Sequence, residues 1–467
     1  MSYEKVTASV QARLRQIVGA AYVLTEREKM LPYSHDEVTD PSYHHLPEAV
    51  VLPASADETA AVVKLANTCH IPVVPRGGGT GLACGAVPIY GGIVLSTERL
   101  NHICEIRPDG LYAVVEAGVR TADLQAAAEA RGLFYAGDPC SGDSCCIGGN
   151  IATNAGGNRA VKYGTTRHQI YALQIVNPTG HILSVGAPLR KQSTGYCLEQ
   201  LLAGSEGTLG IITQATLKLF PKPPYCSDIL AVFPTAEAAV TLASTLLQKG
   251  ILPTCVEFLD QTTLHAIADF LQEPLPGQAD GHYVIIEMES ADEDERDRHL
   301  LQLDEYCRAG GASQVLLAEY KKIWHLRKSF AEAVRAESLC VSKEDVVVPI
   351  EREAELLQKI AATTARYHLT VRLAAHAGDG NLHLNILKPP AEDYDAWQRR
   401  VQAHQQELYT YIYQLGGRLS GEHGIGYKRK QLMKKFTNPE ELAMMKAIKQ
   451  AWDPNNILNP GKIFDLP

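Results

Sequence analysis

The run Pro75-Arg76-Gly77-Gly78-Gly79-Thr80-Gly81 constrains this chain more than any other stretch. It follows Ile71-Pro72-Val73-Val74, an apolar run of the length of a buried strand. Glycine loses more backbone entropy on folding than any other residue, so a fold keeps such a cluster where no side chain fits. A loop of this kind can close its backbone N–H groups around an anion, because no Cβ holds the ligand away. The anion expected here is a pyrophosphate. A solvated glycine-rich turn is the other use of such a cluster.

Two further glycine-rich segments weigh against the plain turn. One is Gly148-Gly149-Asn150-Ile151-Ala152-Thr153-Asn154-Ala155-Gly156-Gly157, followed by Tyr163-Gly164-Thr165-Thr166. The other is Gly204-Ser205-Glu206-Gly207-Thr208-Leu209-Gly210-Ile211-Ile212-Thr213. Gly77 and Gly79 need a glycine at 82 to complete G-x-G-x-x-G, and Leu82 stands there. No G-x-x-x-x-G-K-[ST] is present, which removes a P-loop. Three glycine loops of neither type suggest a large, flat, multi-ring cofactor wrapped along its length.

These three segments resemble the FAD-binding domain of the vanillyl-alcohol-oxidase (PCMH-type) superfamily. Further motifs are His376-Ala377-Gly378-Asp379-Gly380-Asn381-Leu382-His383, Gly421-Glu422-His423-Gly424 and the terminal run Asp453-Pro454-Asn455-Asn456-Ile457-Leu458-Asn459-Pro460-Gly461-Lys462. With them the chain resembles the branch of FAD-dependent D-2-hydroxy-acid dehydrogenases. That branch holds D-lactate dehydrogenases, the glycolate oxidase flavin subunit and D-2-hydroxyglutarate dehydrogenase. The resemblance runs from about Leu46 to the C-terminus. It implies an α+β protein: a two-subdomain FAD-binding domain and an α+β cap domain with an antiparallel sheet. It implies FAD held by Pro75, Arg76, Gly77, Gly78, Gly79, Thr80 and Gly81, by Asp138, Gly148, Gly149, Asn150, Ala152, Thr153, Asn154 and Gly156, and by Gly204, Glu206, Gly207 and Ile211. Relatives with covalent flavin carry a histidine in the first glycine loop. This loop has none, so the FAD is expected to be non-covalent.

Composition sets wider bounds. A chain of 467 residues, 45% of them apolar, is expected to build two to three domains with ample core. A net charge of −9 gives no argument for nucleic acid. The basic cluster Lys428-Arg429-Lys430 with Lys434-Lys435 reads as a solvated helix face, or else as a docking patch for an acidic partner. The N-terminal residues show no secretory or transit pattern, and no stretch of about 18 apolar residues suggests a membrane span. Eleven cysteines show no C-x-x-C and no ferredoxin spacing. Cys140, Cys145 and Cys146 cluster without fitting a metal rule. Free thiols in a reducing cytoplasm are the expectation.

Along the chain, residues 1–45 read as a polar helical segment followed by a loop. Residues 46–224 alternate strands with short helices and form the expected FAD-binding domain. Pro221-Lys222-Pro223-Pro224 is the best boundary. Residues 225–415 form the expected cap, with strands at Asp228–Phe233, Val256–Leu259, Tyr283–Glu287 and Val346–Pro349. Helices are expected at Thr235–Gln248, with Thr235 as N-cap, and at Ala291–Ala309, Ile350–Tyr367 and Asp393–Leu415. Residues 416–467 are expected to pack back on the flavin domain, as the resemblance implies.

Val371–His376 and Leu382–Ile386 are two strand-like runs around Asp379-Gly380, a favoured two-residue hairpin turn. That turn pairs His376 directly with His383, with Cβ atoms roughly 5 Å apart. Asn385 falls on the same face and Leu382, Leu384 and Ile386 on the other. A facing pair of imidazoles serves either as a structural contact or as two ligands of a divalent metal, and Glu422 in its Gly-flanked loop offers a carboxylate.

The resemblance assigns His376, His383 and Glu422 as metal ligands, for zinc, iron or manganese. It makes His423 the base, where a hydrogen bond within its loop is the plainer alternative, and Arg327 and Lys343 the partners of the substrate carboxylate. The implied reaction oxidises a small D-2-hydroxy acid, D-lactate to pyruvate in the leading case, with hydride passing to flavin N5. Glycolate and D-2-hydroxyglutarate are the alternatives. An ether-lipid synthase of the same superfamily is more remote, having no need of the paired His and Glu-His constellation. Electrons then leave for an outside carrier, an electron-transfer flavoprotein first and an iron–sulfur subunit second.

Overall fold

The strand that enters the first glycine loop lies at one side of a four-stranded sheet in the computed structural model, which describes residues 3–38, 40–277 and 280–466. Its strands are β1 (Val23–Leu24), β2 (Ala49–Val51), β3 (Val73–Arg76) and β4 (Ile93–Ser96), in the order β1-β2-β4-β3. β2, β4 and β3 run parallel. Parallel strands need a crossover, and Ala56–Thr68 supplies it as a helix. Ser55 caps it by accepting from the Glu58 N–H at 3.1 Å. Val50, Val51, Val73, Ile93 and Leu95 are fully buried, as continuous apolar strands covered on both faces must be.

A second sheet follows a different rule. β5 (Ile103–Arg107), β6 (Tyr112–Glu116), β7 (Leu133–Phe134), β8 (Ile170–Val176), β9 (Ile182–Gly186), β10 (Ile211–Lys218) and β11 (Phe220–Pro221) continue the chain. Five of them form an antiparallel sheet in the order β5-β6-β10-β8-β9, and β7 pairs with β11. Along β10 the side chains at Thr213, Ala215 and Leu217 are buried and those at Gln214, Thr216 and Lys218 less so, the alternation of a sheet with one covered face. β5 and β9 were not expected from the sequence. Both are five residues long, and exposed positions interrupt their apolar ones.

These elements belong to one compact unit, made of Met1–Gly156, Thr165–Lys222 and Glu422–Pro467. Its last segment is tied in by backbone pairing: Val73 N–H donates to Ile457 O at 2.7 Å and Asn459 N–H to Val73 O at 2.8 Å. The buried Lys449 ammonium reaches the Thr208 and Leu458 carbonyls and the Asp453 carboxylate.

The other unit comprises Gly157–Gly164 and Pro223–Gly421. Its seven-stranded antiparallel sheet contains β12 (Tyr225–Phe233), β13 (Cys255–Leu259), β14 (His282–Ser290), β15 (Gln314–Ala318), β16 (Val341–Val347), β17 (Thr370–His376) and β18 (Asn381–Leu387), in the order β15-β12-β14-β13-β17-β18-β16. Thr235 caps the helix Ala236–Gln248 as expected, accepting from Ala238 N–H. The helices Gln261–Leu271, Tyr320–Lys328 and Phe330–Glu337 and strand β15 were not foreseen. β16 starts five residues earlier than read from the sequence, so Lys343 is inside a strand rather than beside one.

The hairpin register differs from expectation. His376 pairs with Asn381, and His383 with Ala374. A two-residue turn of the favoured type needs positive φ at both central residues. Only Gly380 has it, at +82°, so the chain turns over the four residues 377–380. The pairing moves by two, which keeps both histidines on one face as diagonal neighbours.

Candidate functional site

In the first unit the three glycine loops converge on one cavity. All of Pro75–Gly81 line it, as do Gly148, Gly149, Asn150, Ala152 and Thr153 of the second loop and Glu206, Gly207 and Ile211 of the third. Four of the residues expected to hold cofactor lie outside the lining. Asn154 ends the helix Ile147–Thr153 in a left-handed conformation, and its side-chain oxygen accepts from Thr165 Oγ1 and Arg167 N–H, both at 2.9 Å. Gly204 takes φ +84° beside Arg167, whose guanidinium donates to Ala203 O. A Cβ at Gly156 would stand 2.7 Å from Glu422 Oε2. Asp138 is likewise not among the lining residues. Buttress and wall share the same glycine-rich composition, so sequence alone does not separate them.

The cavity is built for a ligand that approaches backbone. A Cβ on Gly149 would meet nothing within 4 Å, so it would project into the open space. A Cβ on Gly78 would collide with the Ser144 carbonyl. Arg76 lays its guanidinium against Gly79 of the loop and donates to His35 O at 2.6 Å and Pro32 O at 3.0 Å. Asp36, buried beside Gly81, accepts from Val38 N–H at 3.1 Å, and burial pushes its carboxyl up. Asp36 and Thr97 were not singled out in the sequence. Asn459, from the terminal motif, also lines the cavity and donates to Gly85 O and Glu206 O.

Glu422 and His423 line this same cavity, with His423 Nε2 3.7 Å from Glu422 Oε1. Their loop is held by Glu206, a non-glycine residue at φ +50°. Its carboxylate accepts from the N–H groups of Ile425 at 2.8 Å and Gly426 at 2.7 Å. Burial raises the Glu206 carboxyl, against those two bonds and the charges of Lys462 and Arg429. Lys462, buried and donating to Val87 O at 2.7 Å, is pulled down to about 7, chiefly by burial. The basic cluster read as a solvated face is partly interior. Arg429 and Lys430 are buried, bonded to Gly424 O and Asp465, whereas Lys434 and Lys435 are exposed.

In the second unit the ladder places polar residues together. Directly paired residues in an antiparallel sheet point to the same side, as do residues two apart on a strand. His376, His383, Asn385 and Lys343 therefore share one face, with Glu257, Asp345 and Arg372. The two imidazoles are buried and perpendicular, with centroids 5.1 Å apart. His383 Nδ1 lies 3.7 Å from Asp345 Oδ1. Asp345 accepts from Asn381 Nδ2 at 2.7 Å and Ser420 Oγ at 2.6 Å. Arg372, in one row with Asn385 and Lys343, is ion-paired with Glu337.

Arg327 stands near the end of the helix Tyr320–Lys328 and is 4% exposed. Its Nε and Nη2 approach Glu257 Oε2 at 2.8 and 2.7 Å, while Glu257 Oε1 lies 2.7 Å from His376 Nδ1. Burial would push the Glu257 carboxyl up, but His376 and Arg327 together hold it below the usual carboxylate range. An ionised carboxylate only accepts, so His376 Nδ1 carries the proton of this hydrogen bond. Glu257 was missed in the sequence. The signal was a single acid inside the apolar strand Cys255-Val256-Glu257-Phe258-Leu259.

Comparison with known proteins agrees with this architecture. Residues 47–186 match the family described as FAD binding domain, and residues 222–463 match FAD linked oxidases, C-terminal domain. Glycolate oxidase subunit GlcD of Bacillus subtilis is 36% identical over 98% of this chain and 97% of its own length. D-lactate dehydrogenase of Anaerostipes hadrus is 35% identical over 99% and 98%. D-2-hydroxyglutarate dehydrogenase of Stutzerimonas stutzeri is 32% identical over 97% and 98%. Among solved structures, p-cresol methylhydroxylase superposes with a TM-score of 0.82 at 18% identity, over 99% of each chain. The 4-ethylphenol oxidase of Gulosibacter chungangensis gives 0.80 at 19%, over 100% of this chain and 99% of that one. Such low identities speak for the PCMH-type fold alone. Glycine-loop cavity, antiparallel cap sheet and full-length relatives agree, and the chain belongs to the FAD-linked oxidases.

Proposed function

We propose that the protein oxidises a small D-2-hydroxy acid to the 2-keto acid, with D-lactate as the first substrate to test, using non-covalent FAD and one divalent metal. The observation that carries this reading is the single polar face of the cap sheet, where His376, His383, Asn385 and Lys343 stand together and Arg327 is held by Glu257. When bound, FAD supplies the hydride acceptor and the metal a Lewis acid for the hydroxyl. Zinc, iron and manganese all suit two imidazoles and a carboxylate.

The residues divide the remaining tasks. His376 and His383 present ring nitrogens to the metal. Glu422 is the third ligand; it follows Gly421, whose Cα packs against the Asn381 amide in the row of His376. His423 takes the hydroxyl proton, as a neutral imidazole can. Arg327 grips the substrate carboxylate with the guanidinium edge opposite its Nε, and Lys343 adds charge on the same face. Asn385 orients the substrate between them. Pro75–Gly81, Gly148–Thr153 and Glu206–Ile211 wrap the cofactor without a covalent bond.

A larger 2-hydroxy dicarboxylate is the second reading, since Arg372 adds a cation to the row of Asn385 and Lys343. Its pairing with Glu337 is what favours the monocarboxylate. Electrons pass to an electron-transfer flavoprotein, with an iron–sulfur subunit as the other candidate. The cytoplasm is the proposed location, in keeping with eleven free cysteines. Anaerobic mixing with D-lactate, glycolate and D-2-hydroxyglutarate tests the core of this reading. D-lactate is expected to bleach the flavin fastest, and a flavin that stays oxidised with all three overturns it. Flavin that remains with acid-precipitated protein would overturn the non-covalent assignment.

A further inference from the structure

We propose that Glu257 is a positioning residue that fixes His376 and Arg327 with one carboxylate, and so ties metal binding to recognition of the substrate carboxylate. The inference rests on the roles of those two residues given above. Its own basis is geometric. Glu257 spends one oxygen on each partner: Oε1 at 2.7 Å from His376 Nδ1, and Oε2 at 2.8 and 2.7 Å from Arg327 Nε and Nη2. The residues are 119 and 70 positions apart in sequence and come from a strand, a neighbouring strand and a helix. All three are buried, with Glu257 wholly so.

Burying three ionisable groups together is costly unless each is paired. For packing alone, an apolar side chain would serve in this strand, whose other four residues are apolar and buried. Other carboxylates on the same face have local duties. Asp228 accepts from Trp324 Nε1 at 2.8 Å, and Glu287 lies 3.7 Å from Arg159. Neither of these two pairs includes a histidine of the face, and Asp345, 3.7 Å from His383 Nδ1, stands beside the other ring. Glu257 bonds both His376 and Arg327.

The consequence for each partner is definite. A carboxylate on Nδ1 sets the tautomer, turns the ring and raises its basicity as a ligand. On Arg327 the same carboxylate is met by Nε and Nη2, which fixes the plane of the guanidinium. Because both partners lean on one rigid group, displacement of either ring or guanidinium is felt by the other.

The test is Glu257→Gln in the full-length holoenzyme. Gln offers one acceptor where two donors must be served, and turns an amide N–H toward the other. Metal retained during chelator titration is expected to weaken by about 10–100-fold. KM for D-lactate is expected to rise, with FAD content unchanged because the glycine loops belong to the other unit. Folded Glu257→Gln with wild-type metal retention and wild-type KM overturns the proposal, even if its thermal midpoint falls, since a purely structural role would lower that midpoint alone. Should the Gln variant fail to fold, Glu257→Asp decides: the charge is kept but one methylene is lost, so both readouts must worsen, and both at wild-type values overturn it. The underlying roles fail separately. If wild-type enzyme keeps full activity without metal and Arg327→Lys leaves KM unchanged, the site reading is wrong whatever Glu257 does.

Discussion

Glu206 and Glu257 are both buried carboxylates at the centre of their units, and their surroundings move them in opposite directions. Glu206 faces backbone: two N–H groups of the loop that carries Glu422 and His423. Burial dominates there and its carboxyl is raised. Glu257 faces side chains, an imidazole and a guanidinium, and is held low despite deeper burial. The contrast separates two ways of fixing a site. Holding a stretch of main chain needs acceptors in the right place. Holding an imidazole and a guanidinium needs a charge.

The largest expected effect falls on the first of these. His423→Ala should slow flavin reduction by about 10²–10⁴-fold with substrate binding largely kept, measured by anaerobic stopped flow. Reduction at the wild-type rate would remove His423 as the base. Arg327→Ala comes next. Loss of a charged hydrogen-bonded contact costs about 1.5–3 kcal/mol, roughly one to two powers of ten in substrate dissociation constant. A variant with unchanged affinity would place the carboxylate elsewhere.

Glu206→Gln sharpens the comparison directly. It leaves one loop N–H facing an amide donor, a cost of about 1–3 kcal/mol. The expectation is a lower thermal midpoint and weaker FAD retention with metal retention intact, the mirror image of Glu257→Gln. If both variants lose flavin and metal alike, the two devices are not separate.

The smallest effect concerns pH and belongs to the second unit. His404 is fully buried, and neither ring nitrogen has a hydrogen-bond partner among the described residues. Around it stand Glu344 of β16, Glu407 on its own helix and the Tyr367 ring. Lys359 and Arg366 neutralise Glu407, and Tyr409 and Gln405 bond Glu344. Burial therefore prevails over the two acids and lowers the His404 pKa. The unfolded chain, with a histidine pKa of about 6.5, takes up the proton that the fold refuses. Stability is complete above that pH and falls below it by up to about 1.4 kcal/mol per pH unit, until the folded pKa is reached. His404→Phe should flatten the slope of melting temperature between pH 7.5 and 5. An unchanged slope would assign it to other groups.

What the sequence made legible was local. The strand before Gly77, the capped helix after Thr235 and the three loops follow from nearest-neighbour rules of propensity and φ. What it hid depends on partners far along the chain. The hairpin register turned on whether Asp379 could join Gly380 at positive φ, and it does not. Arg429 and Lys430 read as surface charge because Gly424 O and Asp465, which satisfy them, are invisible to a charge count. That Asn154 and Gly204 fall outside the cavity lining was not legible either, because their partners Thr165, Arg167 and Ala203 lie elsewhere in the chain or carry no sequence signal. Glu257 was visible only as an oddity in an apolar strand, since His376 lies 119 residues away.

The pairing of Val73 with residues 457–459 sets a timetable for biosynthesis. The strand that opens the first glycine loop is made early, yet its neighbour emerges from the ribosome almost four hundred residues later. Asn459 then closes on Gly85 and Glu206 in the same step. The cap, nearly continuous from Pro223 to Gly421, has all but one short piece of its chain in sequence order. Long-range closure is slow relative to local structure. The wall of the glycine-loop cavity is thus complete only when the last residues have been made, and chains arrested before residue 457 lack both the strand partner of Val73 and Asn459.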